Sequence, residues 1–358
     1  MSRFLIVDVG AGTLDLLYYD SGLGIQYKGV VKSPVLLLAE KAAKSTGPLL
    51  LSGREMGGGS LAQILREKAK TTEVVMTRSA SATVHHDVER VRSWGIQIVE
   101  DEEANLPEKE KKYLALTLGD IQPERIERLV KGMGVPYSFD IVGICAQDHG
   151  VPPKGVSHLD FRHNIFEAIL KEEPFPHRLL YEEDGIPPHF SRFRAIAKDA
   201  QALPTDELYF MDSGMAAILG GSMDARMHRN SRVVLLDVAT SHTVGASMIG
   251  IELAGFFEYH THELTVDRLE TLVVELADGK LNHRQILEEG GHGAFLRKAI
   301  GFDKIEVILS TGPRRQLIEK SRLPITLGAP LGDNMMTGTA GVLEAIRRRK
   351  GLEPIHWG

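Results

Sequence analysis

The apolar run Phe4-Leu5-Ile6-Val7 ends in Asp8-Val9-Gly10-Ala11-Gly12-Thr13-Leu14-Asp15, and a second apolar run, Leu16-Leu17-Tyr18-Tyr19, follows at once. Two apolar runs separated by so short a Gly-rich stretch read as strand, tight turn, strand: a β-hairpin. Glycines at its tip permit positive φ and let backbone N–H groups approach an anion with no Cβ in the way. The aspartates would repel phosphate directly. They can instead hold a hydrated Mg²⁺ that bridges to it, because Mg²⁺ prefers carboxylate, water and phosphate oxygens. More than two hundred residues later, Val233-Val234-Leu235-Leu236-Asp237-Val238-Ala239-Thr240-Ser241-His242-Thr243-Val244 has the same layout. The spacing of the two hairpins matches one per domain. Facing one another, they would grip a polyphosphate from both sides, with Asp8 and Asp237 converging on the metal. The alternative is an ordinary surface turn at each place.

The length of 358 residues supports that pairing, since a single core usually stops growing before this size. Residues 3–9, 15–20 and 24–32 read as a meander of three strands. Helices are expected at 35–44, 60–70, 80–93 and 123–132, and strands at 49–51, 74–76, 96–99, 113–118 and 138–146. The charged stretch 100–112 reads as an exposed loop or a solvated helix end. Segment 147–206 is dense in proline, which breaks long elements, and is read as loops with helices near 160–172 and 190–200. A helix at 212–220 leads to strands at 232–238, 243–250 and 254–259 and helices at 265–277 and 282–289. A strand at 305–310, a helix start near 313 and a terminal helix at 335–349 complete the chain. Meander followed by helix–strand alternation thus occurs twice, which predicts an internally duplicated α/β architecture.

A formal charge of −6 and a pI near 6.2 argue against general nucleic-acid or anionic-membrane binding. No long apolar stretch and no basic-then-apolar leader is visible, so neither a membrane span nor a secretory signal is expected. Cys145, the only cysteine, fits a reducing cytoplasm and rules out an internal disulfide framework. It also rules out a cysteine-held iron–sulfur cluster within one chain. Its setting, Ile141-Val142-Gly143-Ile144-Cys145-Ala146, is that of a small buried hydrophobe.

Three further segments fall in order around the second hairpin. Asp212-Ser213-Gly214-Met215-Ala216-Ala217-Ile218-Leu219-Gly220 is a small-residue helix, and Ile308-Leu309-Ser310-Thr311-Gly312-Pro313 is a strand running into a small-residue turn. Thr337-Gly338-Thr339-Ala340-Gly341-Val342 is a second small-residue helix. With the hairpins, this order resembles the actin-like ATPase superfamily, which includes sugar kinases, heat-shock chaperone ATPases, actin and the activator ATPases of radical dehydratases. The resemblance spans about residues 4–346. It implies a duplicated, ribonuclease H-like α/β fold with two lobes around a nucleotide cleft, and ATP with Mg²⁺ as cofactors. It implies a phosphate 1 loop of Asp8, Gly10, Ala11, Gly12 and Thr13, and a phosphate 2 loop of Asp237, Thr240, Ser241 and Thr243. Thr311 and Gly312 would form the adenosine turn, and Asp8 and Asp237 would be the metal carboxylates. Lobe I would be 1–211, with 334–358 packing back on it; 212–220 would connect it to lobe II at 221–333. At a finer level the chain resembles a microbial family labelled as pyruvate formate-lyase activating enzymes. A genuine activase of that radical type needs several cysteines for its [4Fe–4S] centre, so that activity is rejected.

The superfamily's Gly-rich phosphate 2 core is replaced here by Ala239, Thr240 and Ser241. The hydroxyls of Thr240, Ser241 and Thr243 can donate in place of bare backbone. Two aspartates are candidate catalytic bases: Asp212, at the head of the first small-residue helix, and Asp148, in Ala146-Gln147-Asp148-His149-Gly150. For Asp212, helix N-capping is the alternative. His260-Thr261-His262-Glu263 with His242 could supply Zn²⁺ ligands, but the spacing matches no zinc pattern, and these are read as surface or loop histidines. His85 and His86 are read as helix-surface residues. Met56-Gly57-Gly58-Gly59-Ser60 lacks the Lys of a P-loop and is read as a flexible turn with Ser60 as N-cap. The leading functional expectation is a Mg²⁺-dependent ATPase switch or activator acting on a partner protein. The alternatives are a small-molecule kinase, with 147–206 as acceptor site, and a non-catalytic nucleotide sensor or scaffold.

Overall fold

The computed structural model describes residues 2–105, 112–153, 155–227 and 231–355; of the charged stretch 100–112 and of the C-terminal segment, 106–111 and 356–358 lie outside them. The opening meander is β1 (Arg3–Val9), β2 (Thr13–Asp20) and β3 (Ile25–Lys32), all antiparallel, with Asp8 opposite Asp15. An inserted unit follows. Its strands β4 (Leu49–Gly53), β5 (Val74–Thr77), β6 (Ile96–Val99) and β7 (Leu114–Leu118) form a parallel sheet in the order β6-β5-β4-β7. It has a core of its own, built from Leu38, Leu61, Leu65, Val74 and Leu116 among others.

The chain then returns through β8 (Phe139–Ala146), which pairs parallel with β1, β9 (Leu180–Glu182), and β10 (Thr205–Asp212), parallel with β8. The first large sheet is β3-β2-β1-β8-β10-β9. The second uses β11 (Arg232–Val238), β12 (His242–Ile249), β13 (Glu252–His260), β14 (Gly293–Leu296), β15 (Val307–Thr311) and β16 (Ile325–Leu327). Its order is β14-β13-β12-β11-β15-β16. Each sheet thus has an antiparallel meander continued by parallel strands, β8 and β10 in the first and β15 and β16 in the second, with β9 closing the first sheet antiparallel to β10. β1 and β11 are central and, buried on both faces, almost wholly apolar. This is the duplicated, ribonuclease H-like topology of the actin-like ATPase fold.

Two helices, Ser213–Gly221 and Thr337–Arg349, cross between the sheets with backbone against backbone. A Cβ on Gly220 would fall onto the Thr337 carbonyl, and one on Gly341 onto that of Ala216. The small residues legible in both segments are what this approach requires.

Some local expectations need correction. The helix expected at 80–93 is two short ones, Arg78–Ser81 and Val88–Ser93. Thr77 caps the first and Asp87 the second, so side chains that bond nearby N–H groups divide the segment. Near 313 only a 3₁₀ turn, Arg315–Ile318, forms. Ser60 is not an N-cap: Gly58 holds that position, and the Ser60 hydroxyl is buried without a partner. His85 and His86 lie in the break between the two short helices, lining a cavity.

Candidate functional site

The two hairpins turn in the same way. Gly10 N–H donates to the Thr13 carbonyl at 3.0 Å, and Ala239 N–H to that of His242 at 3.1 Å. Their registers also match, with Asp8 opposite Asp15 in one and Asp237 opposite Val244 in the other. The correspondence extends to the parallel neighbour: Cys145 stands beside Asp8 and Thr311 beside Asp237. Each neighbour bonds its carboxylate, the thiol of Cys145 to Asp8 and the hydroxyl of Thr311 to Asp237 Oδ1 at 2.8 Å.

The tips meet: a Cβ on Gly12 would lie 2.9 Å from Thr240 Oγ1. Beside this contact is a cavity of about 560 Å³ that both hairpins line. It brings together Asp8, Gly10, Ala11, Gly12, Thr13, Asp148, Asp237, Thr240, Ser241 and Gly312. It continues past Asp148 to Gly57, Gly58 and Gly59 and to Thr83–His86 of the inserted unit. Asp212, Thr243 and Thr311 are off its wall. Thr243 is buried with its hydroxyl 3.0 Å from that of Thr261, which donates to the Ala239 carbonyl at 2.8 Å and so braces the turn. Asp212 caps the crossing helix through Met215 N–H at 3.1 Å and receives the Arg162 guanidinium at 2.6 Å.

The carboxylates at the tips repel one another. Burial, and then the charges of Asp237 and Asp212, push Asp8 up to about 7 against the pull of the Cys145 hydrogen bond. Burial and the charge of Asp8 push Asp15 up to about 8. Asp237 is pushed to about 6 by burial, opposed by Thr311. Asp15 is 5% exposed, and its Oδ1 has no partner. The one Lys or Arg among the described lining residues is Arg192, already held by Asp120 at 2.7 and 3.0 Å. These three carboxylates, one of them with an orphaned oxygen, could hold a cation.

Asp148 is buried on the far wall. Its two oxygens accept Gly150 N–H at 2.8 Å and Phe193 N–H at 2.9 Å, yet burial still pushes it up to about 6. Beyond it, His86 Nε2 lies 2.8 Å from Glu55 Oε1, and that bond raises its pKa. Sequence reasoning took the aspartates flanking the first tip together as able to hold Mg²⁺ but named only Asp8 and Asp237 as the metal carboxylates; the antiparallel register places Asp15 opposite Asp8. That reasoning missed Arg162, whose fully buried guanidinium joins Asp212 in the first sheet's region to Glu258 on β13 at 2.7 Å.

A family model described as "Putative pyruvate format-lyase activating enzyme (DUF1786)" matches residues 56–317. No curated protein matches the chain. Similar solved structures include the inorganic polyphosphate/ATP-glucomannokinase of Arthrobacter sp. strain KM, at 12% identity over 97% of this chain and 100% of that one, TM-score 0.37. A chain of the PilM-PilN type IV pilus biogenesis complex matches at 10% identity over 98% of each, TM-score 0.41. The activator of the 2-hydroxyisocaproyl-CoA dehydratase from Clostridium difficile, with bound ADPNP, matches at 8% identity over 99% of each, TM-score 0.36. No helix among the described residues is long and apolar enough to cross a membrane.

Proposed function

The chain belongs to the family matched over residues 56–317, and on that premise we propose that it binds ATP with Mg²⁺ between its two hairpin tips and is an ATPase switch acting on a partner protein. Its lone Cys145, buried beside Asp8, cannot hold a thiolate-ligated cluster, so the radical chemistry in the family's description is not proposed. The observation that carries the reading is the tip-to-tip meeting of two like-turned hairpins over a cavity lined by the carboxylates of Asp8, Asp15 and Asp237 among others. A phosphate chain there would touch the backbone of Gly10–Thr13 on one side and the hydroxyls of Thr240 and Ser241 on the other. Asp8, Asp15 and Asp237 would hold the cation, whose charge would offset both their mutual repulsion and that of the phosphates. The Gly312 turn, beside the second tip, would take the adenosine. Because the two tips belong to different sheets, loss of the γ-phosphate would remove contacts that tie them. A ligand shifts such an equilibrium only by its differential affinity for the closed arrangement.

One observation favours a second reading, a small-molecule phosphotransferase. The cavity runs on past Asp148 to the inserted unit, leaving room for an acceptor beside a buried carboxylate. In either reading Asp148 accepts the proton of the attacking water or hydroxyl. The test is ATP turnover measured alone and then with a metabolite panel, with binding followed by calorimetry with and without Mg²⁺. Slow basal hydrolysis with Mg²⁺-dependent binding supports the switch. Stimulation by one metabolite with a phosphorylated product supports the transferase. Tight binding without turnover supports a sensor, and no ATP binding at all overturns the proposal.

A further inference from the structure

We propose that His242, His260 and His292 form a binding site for Zn²⁺ or a similar borderline divalent ion, distinct from the carboxylates at the hairpin tips. The sheet assembles it. His242 opens β12 and His260 closes β13, directly opposite each other in the antiparallel register. His292 comes in from the next strand, its N–H donating to the Glu258 carbonyl at 2.8 Å just before the Glu258–Gly293 pairing begins. One ligand atom from each ring lies within 4.8 Å of the other two. The ring centroids are 4.4, 4.4 and 4.7 Å apart, so the three imidazoles surround a common point.

The spacing suits a metal. The Nε2 atoms of His260 and His292 are 3.0 Å apart. Two nitrogens bound tetrahedrally to one Zn²⁺ at ~2.0–2.1 Å stand about 3.3 Å apart, so small ring movements suffice. Three nitrogens are also the wrong donors for Mg²⁺, which takes oxygen, and the right ones for Zn²⁺. His242 Nε2 is buried without a hydrogen-bond partner, an orphan that a metal would satisfy. Outer support is present as well. Glu258 Oε1 lies 3.4 Å from His292 Nδ1, and Arg162 and Gln147 fix that carboxylate in turn. A carboxylate behind a ligating imidazole orients the ring and raises its basicity.

The site has an open side. Three protein ligands leave a fourth position, the composition that lets zinc accept water or an exogenous oxygen. His242 lines the cavity, and the His149 ring stands beside it, 5.2 Å from His292 and 6.3 Å from His242. His149 Nδ1 is also buried and unpartnered. By the registers of the two hairpins, His242 occupies the place that Thr13 holds in the first. The second tip thus carries a histidine of the cluster where the first carries a phosphate-loop hydroxyl, and that histidine lines the same cavity.

The test uses untagged full-length protein, stripped with chelator and free of nucleotide, so its outcome is independent of ATP binding. Zn²⁺ is titrated by calorimetry, and Co²⁺ by the visible absorption that low-coordinate cobalt acquires on nitrogen ligation. The expected result is one equivalent per chain, unaffected by excess Mg²⁺. Affinity should fall at least ~100-fold in His260→Gln and in His292→Gln, beyond the 10–100-fold of losing an outer-shell partner. His262→Gln, whose side chain is 76% exposed, should bind as the wild type does. Three results would overturn the site: no stoichiometric binding by the wild type, binding retained in both ligand variants, or displacement by Mg²⁺. His260 is only half-buried, so His260→Gln remains informative if the His292 variant fails to fold.

Discussion

Replacing Arg162 by Met tests how the two sheets are held together. The Arg162 side chain is 6% exposed, that of Asp212 2% and that of Glu258 4%, so the substitution strands two carboxylates in the interior. Removing one partner of a buried ion pair costs ~3–5 kcal/mol, because the charge left behind is neither solvated nor paired. Arg162→Met is therefore expected to lose at least about 3 kcal/mol at pH 7, read as the shift of the urea midpoint followed by far-UV circular dichroism. The pH dependence carries the sign. Against the burial that would raise it, Arg162 holds Glu258 well below the usual carboxylate range. In the wild type that contribution is fully present above the unfolded value and is lost only as pH falls through the depressed folded one. In the variant the stranded carboxylates have raised values, so protonation restores stability as pH falls from 7 towards 5. The gap between the two proteins should be wide at pH 7 and narrow at pH 5. Adding Asp212→Asn and Glu258→Gln to Arg162→Met should recover most of the loss, since no buried charge then remains unpaired. A loss below ~1 kcal/mol, or a gap that does not change with pH, would refute the reasoning.

Asp8→Ala should abolish Mg²⁺-dependent ATP binding in calorimetry while leaving the thermal midpoint unchanged or higher, because it removes a repelling charge from the trio. Gly341→Ala places a methyl on the Ala216 carbonyl and should cost about 3 kcal/mol, at the upper end of overpacking effects, as seen in urea unfolding. If Asp148 is the base, turnover should fall along a one-proton limb as pH drops through about 6, since the carboxylate is the active form; Asp148→Asn should remove both the limb and the turnover. Arg162→Met should raise nucleotide on- and off-rates together in stopped-flow, with affinity changing less than either.

The sequence made the hairpins legible because both signals are local: an apolar run, an Asp, a small-residue tip and a second run. The same locality located the central strands and the crossing helices, whose Gly and Ala content reflects the backbone contact at Gly220 and Gly341. It failed where one signal masked another. β10 begins directly after Pro204 with the polar Thr205-Asp206-Glu207, so its start falls in the proline-dense segment 147–206 and the sequence reading assigns no element to 207–211. The inserted sheet was visible only as separate short strands, since what makes it a unit is a separate core rather than any linker. Arg162 and Glu258 come from distant positions and carry no local signal, while Asp212 shows in the sequence only as a candidate base or helix cap. His242, His260 and His292 show no metal spacing because strand pairing, not a helical or loop repeat, brings them together.

The placement of Arg162 bears on what kind of switch this fold can support. Its helix, His158–Glu172, precedes β10 in the chain, yet it docks against the second sheet. Arg162 reaches Glu258 on β13, the His163 ring stacks on that of His283 at 4.1 Å, and Asp160 lies 3.2 Å from His283 Nε2. Just after the helix, the Pro174 carbonyl accepts Leu253 N–H at 2.7 Å. The two large sheets are therefore tied along this seam as well as through the crossing helices, while at the hairpin tips Gly12 meets Thr240. Breaking the seam strands buried charge, whereas among the described residues no buried ion pair joins the two tips. On the proposed reading, opening for nucleotide would be a local separation on the tip side, pivoting on the seam, rather than a wide swing of one lobe. Glu258 lies at the pivot and also backs His292, so the energetics of the seam and of the histidine cluster share one carboxylate. A metal at the histidines would draw on the same hydrogen bonds that hold the sheets together, and that shared residue is the physical route by which its occupancy would reach the tips.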